Sequence, residues 1–97
     1  MLDTLTLASF EPHVGTEFAV TVAGYSDTLT LREAIAARGA APGREAFSLT
    51  FHGARDDICF EQQILPLVHP VLGTLEIAVT PLGRNTQGNF RYHAVFN

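Results

Sequence analysis

Lysine does not occur in this 97-residue chain, and cysteine occurs once, at Cys59. A lone cysteine excludes an intrachain disulfide, and with it the stapled architecture of many small secreted domains, so a reducing compartment fits best. The six basic residues are all arginine (Arg32, Arg38, Arg44, Arg55, Arg84 and Arg91), and ten carboxylates outnumber them to give a net charge of −4. Phosphate backbones and anionic membrane surfaces are held by clustered positive charge. These arginines are scattered along the chain, so neither nucleic acid nor membrane is an expected partner. Nothing in the pattern explains the missing lysine. Long apolar runs are lacking too: no stretch approaches the roughly 20 residues a spanning helix needs. The opening Met1-Leu-Asp-Thr-Leu-Thr-Leu7 lacks the positive segment and apolar run of a secretory signal. The expected location is cytoplasmic, which is compatible with later incorporation into a phage-like particle.

Apolar carbon is plentiful. With 46% apolar and only 16% charged residues, the chain can bury enough surface to offset the entropy of ordering. At this length one core is expected, hence a single domain over 1–97. The apolar residues alternate. Phe18, Val20 and Val22 share one face of a strand over 17–22, and Gly24-Tyr-Ser-Asp27 reads as the turn to a second strand carrying Leu29 and Leu31. Ser9 to Gly15 reads as one helical turn or a hook, with Ser9 at the N-cap. From Arg32 to Arg38 the composition turns helix-like, and Gly39-Ala-Ala-Pro-Gly43 reads as a loop. Phe47, Leu49 and Phe51 define the clearest strand, and Gly53 to Asp57 turns the chain. Residues 58–68 read as a strand that changes parity between Phe60 and Leu65. A bulge near Gln62 to Ile64 reconciles its halves, and Pro66 marks it as an edge or irregular. Val68 to Gly73 is a connection. Leu75, Ile77 and Val79 alternate until Pro81 ends the run; Arg84 to Gly88 is a hairpin loop, and Phe90, Tyr92, Ala94 and Phe96 line the last strand. Six short strands without a long helix make an all-β, antiparallel barrel or sandwich with one or two helical turns.

An ordered set of landmarks adds to this: Phe10, Val14-Gly15-x-x-Phe18, Leu29-x-Leu31, Phe47-Ser-Leu-x-Phe51-x-Gly53, the glutamines near 62, His69-Pro-x-x-Leu-Gly73, Pro81 and Tyr92-x-Ala-Val-Phe-Asn97. Over nearly the whole chain it resembles a small bacterial family of uncharacterised proteins, a domain of unknown function. The resemblance implies association with phage-tail-like genes, and so a structural or accessory role with no catalytic residues to carry over. Leu65 departs from the pattern, standing where an aromatic is expected.

The chemistry-bearing residues do not assemble into a motif. Cys59 with His52 or His69 has the residue types of a nucleophile and base, but a lone cysteine in a β domain more often serves as a small buried hydrophobe. His13, His52, His69 and His93 lack metal-ligand spacing, and Asp56, Asp57 and Glu61 suit solvent as well as a hard cation. No phosphate-binding glycine loop or nucleophile elbow is present. No catalytic residue, metal or cofactor is expected, and the chain is read as a non-enzyme. His69-Pro70 is read as a turn-fixing pair, its imidazole bonded to nearby backbone. The expected function is a structural or protein-interaction module, engaging a protein partner or a second copy through a sheet edge. The alternative is a small-ligand-binding barrel. Candidate contact residues for either are Gln62, His69, Tyr92 and Phe96.

Overall fold

Alternation along each strand decides which side chains meet inside. In a computed structural model that describes residues 6–36 and 46–96, the chain forms β1 (Glu17–Val22), β2 (Tyr25–Ala36), β3 (Phe47–Gly53), β4 (Gln63–His69), β5 (Gly73–Arg84) and β6 (Phe90–Phe96). These antiparallel strands close into a barrel in the order β1-β2-β3-β6-β5-β4, with β4 returning to β1. Phe18, Leu29, Leu31, Leu49, Phe51, Leu65, Leu67 and Tyr92 are all fully buried. Cross-strand partners stack the interior in layers, Phe51 opposite Tyr92 and Leu49 opposite Ala94, while Phe18 meets Phe51 edge-on at 5.4 Å. Six strands enclose a space that side chains of this size fill.

Both ends are stoppered by the chain itself. At one end, helix α1 (Leu7–Phe10) and a 3-10 turn over Glu11–His13 form a hook. Its Phe10 is fully buried against Phe47 and Phe96, with ring centroids 5.9 and 5.7 Å away. Ser9 is not the N-cap. The helix begins two residues earlier, and the Ser9 hydroxyl instead accepts a hydrogen bond from the Thr6 N–H. At the other end, 58–62 passes irregularly beneath the barrel with Phe60 buried. The change of parity expected from a bulge near Gln62 therefore has a simpler origin, because the strand starts only at Gln63.

Four expected boundaries move, each for a local reason. Arg32–Ala36 is strand rather than helix, and residues 37–45 lie outside the described residues. Arg32 is the extra residue of a bulge in the β2–β3 ladder, between Leu31↔Phe51 and Glu33↔Thr50. Leu31 and Ile35, which at i, i+4 would share a helical face, are put on opposite faces by the bulge, Leu31 inward and Ile35 exposed. Pro81 does not end β5. It lies beside a second bulge, between Pro81↔Tyr92 and Gly83↔Arg91, where a residue without an N–H is tolerated. The His69 connection is shorter than expected, since β4 runs through His69 and β5 resumes at Gly73. The β1–β2 turn contains only Ala23 and Gly24, with Tyr25 already paired to Val22.

At that turn both residues have positive φ, 53° at Ala23 and 84° at Gly24, as a two-residue type I′ hairpin requires. Alanine in the left-handed region is strained. Ala23→Asn should therefore raise stability by about 1 kcal/mol, measured by urea unfolding, whereas a loss of stability would contradict the turn type.

Candidate functional site

Among the described residues, His69 combines three side-chain hydrogen bonds with two ring contacts. It ends β4, is buried, and packs its ring 4.5 Å from Phe18 and 4.7 Å from His13. Its Nδ1 accepts hydrogen bonds from the Val71 N–H (3.1 Å) and the Leu72 N–H (3.2 Å). Two donors facing Nδ1 assign the ring's proton to Nε2. Nε2–H then donates to Thr16 Oγ1 at 3.0 Å, and the Thr16 hydroxyl donates onward to the His13 carbonyl at 2.6 Å. A hydroxyl beside an imidazole has the composition of a nucleophile and its base, but this polarity is the reverse of what base catalysis needs. The Thr16 proton already faces a carbonyl, and Nε2 has no lone pair to receive it. The chain fixes the β4–β5 turn and ties the hook to it. Burial holds the His69 imidazole below its usual 6.5, and His13 pushes the same way.

Tyr92 and Asp27 tie down the other end. The Tyr92 phenol accepts a hydrogen bond from the buried Phe60 N–H at 3.0 Å, and burial pushes its pKa up to about 12, so it stays neutral. Asp27, expected in a turn, is a buried strand residue. Its Oδ1 accepts from the N–H groups of Thr28, Ala54 and Arg55 at 2.7, 3.1 and 3.2 Å. Gly53 makes this possible, because a Cβ there would lie 2.6 Å from Asp27 Oδ2. A carboxylate is uncommon in a strand but ordinary in the turn expected at Asp27, so the sequence carried no signal for this cluster.

The remaining candidates separate. Phe96 is half-buried and stacks almost parallel on Phe47 at 4.6 Å. Gln62 is exposed, and Gln63 donates to the Glu61 carbonyl. Thus Gln62 lines a recess shared with His93 and Val95, whereas His69 and Phe96 pack against the hook, on His13 and Phe10. Cys59 is exposed rather than buried, and both histidines considered as its base are engaged elsewhere, His69 as above and His52 with Asn85. Asp57 pairs with Arg55 at 2.6 Å, and that hydrogen-bonded guanidinium holds its carboxyl below the usual range. Among the described residues, no three of His, Cys, Asp and Glu converge as metal ligands would, and no helix is long and apolar enough to cross a membrane.

Linear scatter of the arginines proves a poor guide to space. Antiparallel register sets His52 opposite Arg91, with Arg84 opposite Phe90 one step along the same hairpin. Arg32 and Arg91 both hold the His52 imidazole low, after the larger effect of burial. Outside the barrel, a recess of about 610 Å³ lies between the hook and the β4–β5 turn, walled by Val68, Pro70 and Val71. A second, of about 370 Å³, lies between β5 and β6.

Fold and polar network together define a small closed β barrel whose most conspicuous polar residues fasten its connecting segments. The chain belongs to the family described as Domain of unknown function (DUF6916), whose family model matches residues 5–96. No curated protein and no solved structure matches it.

Two predictions test these assignments. Because the folded His69 pKa lies below its unfolded value, the unfolded chain binds more protons as the pH falls through 6.5. The His69 contribution is therefore complete above about pH 6.5 and is lost progressively as pH falls toward the folded pKa. His69→Asn, which keeps an acceptor near the two N–H groups, should flatten that acid-side loss in urea unfolding; an unchanged pH profile would show that the fold does not hold the His69 pKa low. Tyr92→Phe leaves the buried Phe60 N–H without an acceptor and should cost about 1–3 kcal/mol. An effect near zero in thermal unfolding would show that this bond does not hold the segment.

Proposed function

We propose that this domain is a non-enzymatic protein-interaction module that works through the outside of its barrel. The reading is carried by a row of outward apolar side chains beside a stretch of β6 that is open on its β5 side. Ile35 is opposite Ser48, and Ser48 is opposite Val95. Across the gap, Ile64 is opposite Ala78. Ile35, Ile64 and Val95 are 52%, 61% and 57% exposed. The β5–β6 ladder runs from Arg84↔Phe90 to Thr80↔His93, so Ala94–Phe96 is paired to β3 alone. The recess beside it is lined by Ile64, Ala78 and Val95, with Gln62, Thr80 and His93 around them.

Exposed apolar residues grouped at an unpaired strand suit β-augmentation, in which backbone hydrogen bonds supply affinity and side-chain pockets supply specificity. The filled interior argues against the alternative of a ligand held inside the barrel. The family resemblance extends the reading to a setting in which the partner is a component of a phage-tail-like assembly.

Affinity capture from the host with the native chain and with Val95→Asp tests this. The native chain should retain a tail-like component that the variant loses at least about tenfold, equivalent to 1.4 kcal/mol, while thermal stability is unchanged. Equal recovery would overturn the docking face. Failure of the native chain to retain any tail-like component would overturn the setting.

A further inference from the structure

We propose that the outer groove between β3 and the β5–β6 hairpin is a binding site for a phosphate group. The groove encloses about 500 Å³ and is lined by Thr50, His52, Arg84, Asn85, Thr86 and Arg91, with Glu33 as the one carboxylate on its wall.

Its polarity is set by the loop. Asn85 Oδ1 accepts hydrogen bonds from the N–H groups of Gln87 (2.9 Å) and Asn89 (3.0 Å), so the Asn85 amide nitrogen is the donor toward His52 Nδ1, 3.0 Å away. That leaves His52 carrying its proton on Nε2 as a donor, with no acceptor for it among the described residues. The arginines are held in place but not neutralised. Arg84 Nη1 donates to the Asp56 and Gly88 carbonyls, and its guanidinium lies 4.3 Å from the centroid of the Phe90 ring. Arg91 Nη2 donates to the Leu82 carbonyl, while its Nε is shielded from solvent without a partner. The only ion pair among the described residues is Arg55–Asp57. Neither groove arginine therefore has a carboxylate within contact distance.

This leaves a wall of donors short of acceptors. Guanidinium, imidazole and hydroxyl groups project from β3, β5, β6 and the hairpin loop, more directions than the two oxygens of a carboxylate satisfy. The three terminal oxygens of a phosphate group match them better. Charge favours it as well: Arg84 and Arg91 line the groove with Glu33 as the one opposing carboxylate, and Arg32 adds to the positive charge felt at His52, beside the larger effect of burial.

The test is titration of the full chain with inorganic phosphate at constant ionic strength, followed by amide and side-chain NMR. Saturable shifts are expected at Thr50, His52, Asn85, Thr86 and Arg91, together with a rise in the His52 pKa as the bound dianion offsets Arg32 and Arg91. Arg91→Gln should weaken binding by about tenfold or more. Glu33→Gln alters only an exposed side chain and should tighten binding, which keeps the test decisive if Arg91→Gln unfolds. Shifts that grow without saturating, or affinities unchanged in both variants, would overturn the site. Phosphoserine binding more tightly than glycerol phosphate would identify a phosphorylated side chain as the source, and the reverse order a small phosphorylated metabolite; either order supports the site.

Discussion

Two pairs of residues, Ala19↔Val68 and Val20↔Leu67, join β1 to β4 and turn a six-stranded sheet into a barrel. The rest of the architecture depends on that short seam. Closure removes the sheet edges that would otherwise invite indiscriminate pairing and encloses the inward side chains completely. Leu67 sits in the seam with its side chain fully buried, as does Phe18 one residue before it, so pairing and packing reinforce each other at the point where the sheet meets itself. Pro66 adjoins the seam, and it faces Glu76 on β5 while β1 pairs only with the two residues beyond it. A proline that cannot donate to a ladder is accommodated where the ladder is interrupted.

Closure also explains what the polar residues do. A barrel this small has two open ends, and each is covered by a segment with little regular structure of its own. Such segments stay in place only if their backbone groups find partners. His69 accepts two N–H groups of the β4–β5 turn and reaches the hook through Thr16. Asp27 accepts three N–H groups, two of them where the chain leaves β3, and Tyr92 accepts one from the crossing segment. His69, Asp27 and Tyr92 are therefore committed to holding the fold. The outer surface keeps what they do not use, an apolar row near the end of β6 and a donor-rich groove beside the 85–89 loop.

Legibility in the sequence followed the periodicity. Strands with unbroken alternation, such as Phe47-Ser-Leu-Thr-Phe51, were readable residue by residue because side-chain direction there depends on nothing but parity. Errors gathered where one residue breaks the count. Arg32 inserts into β2 and sends Leu31 and Ile35, an apparent helical pair, to opposite faces, and the bulge after Pro81 lets β5 continue past a proline that reads as a stop. The backbone role expected of His69 depends on a turn two residues away, so local sequence carried it. The groove did not read out, because it depends on register: His52 is far from Arg84 and Arg91 in sequence and meets them only when β3 lies beside the β5–β6 hairpin. Asp27 was obscured for the same reason, since its partners Ala54 and Arg55 lie just beyond the end of β3.

The central claim is that the barrel is shut, which confines binding to its outside. Interstrand proton contacts across the seam measure this directly. In an antiparallel ladder, successive opposed pairs alternate between close Hα–Hα and close N–H–N–H approaches. The account predicts one of each between Ala19 and Val68 and between Val20 and Leu67. Their absence, with the β2–β3 contacts intact, would contradict closure and leave β1 and β4 as free edges.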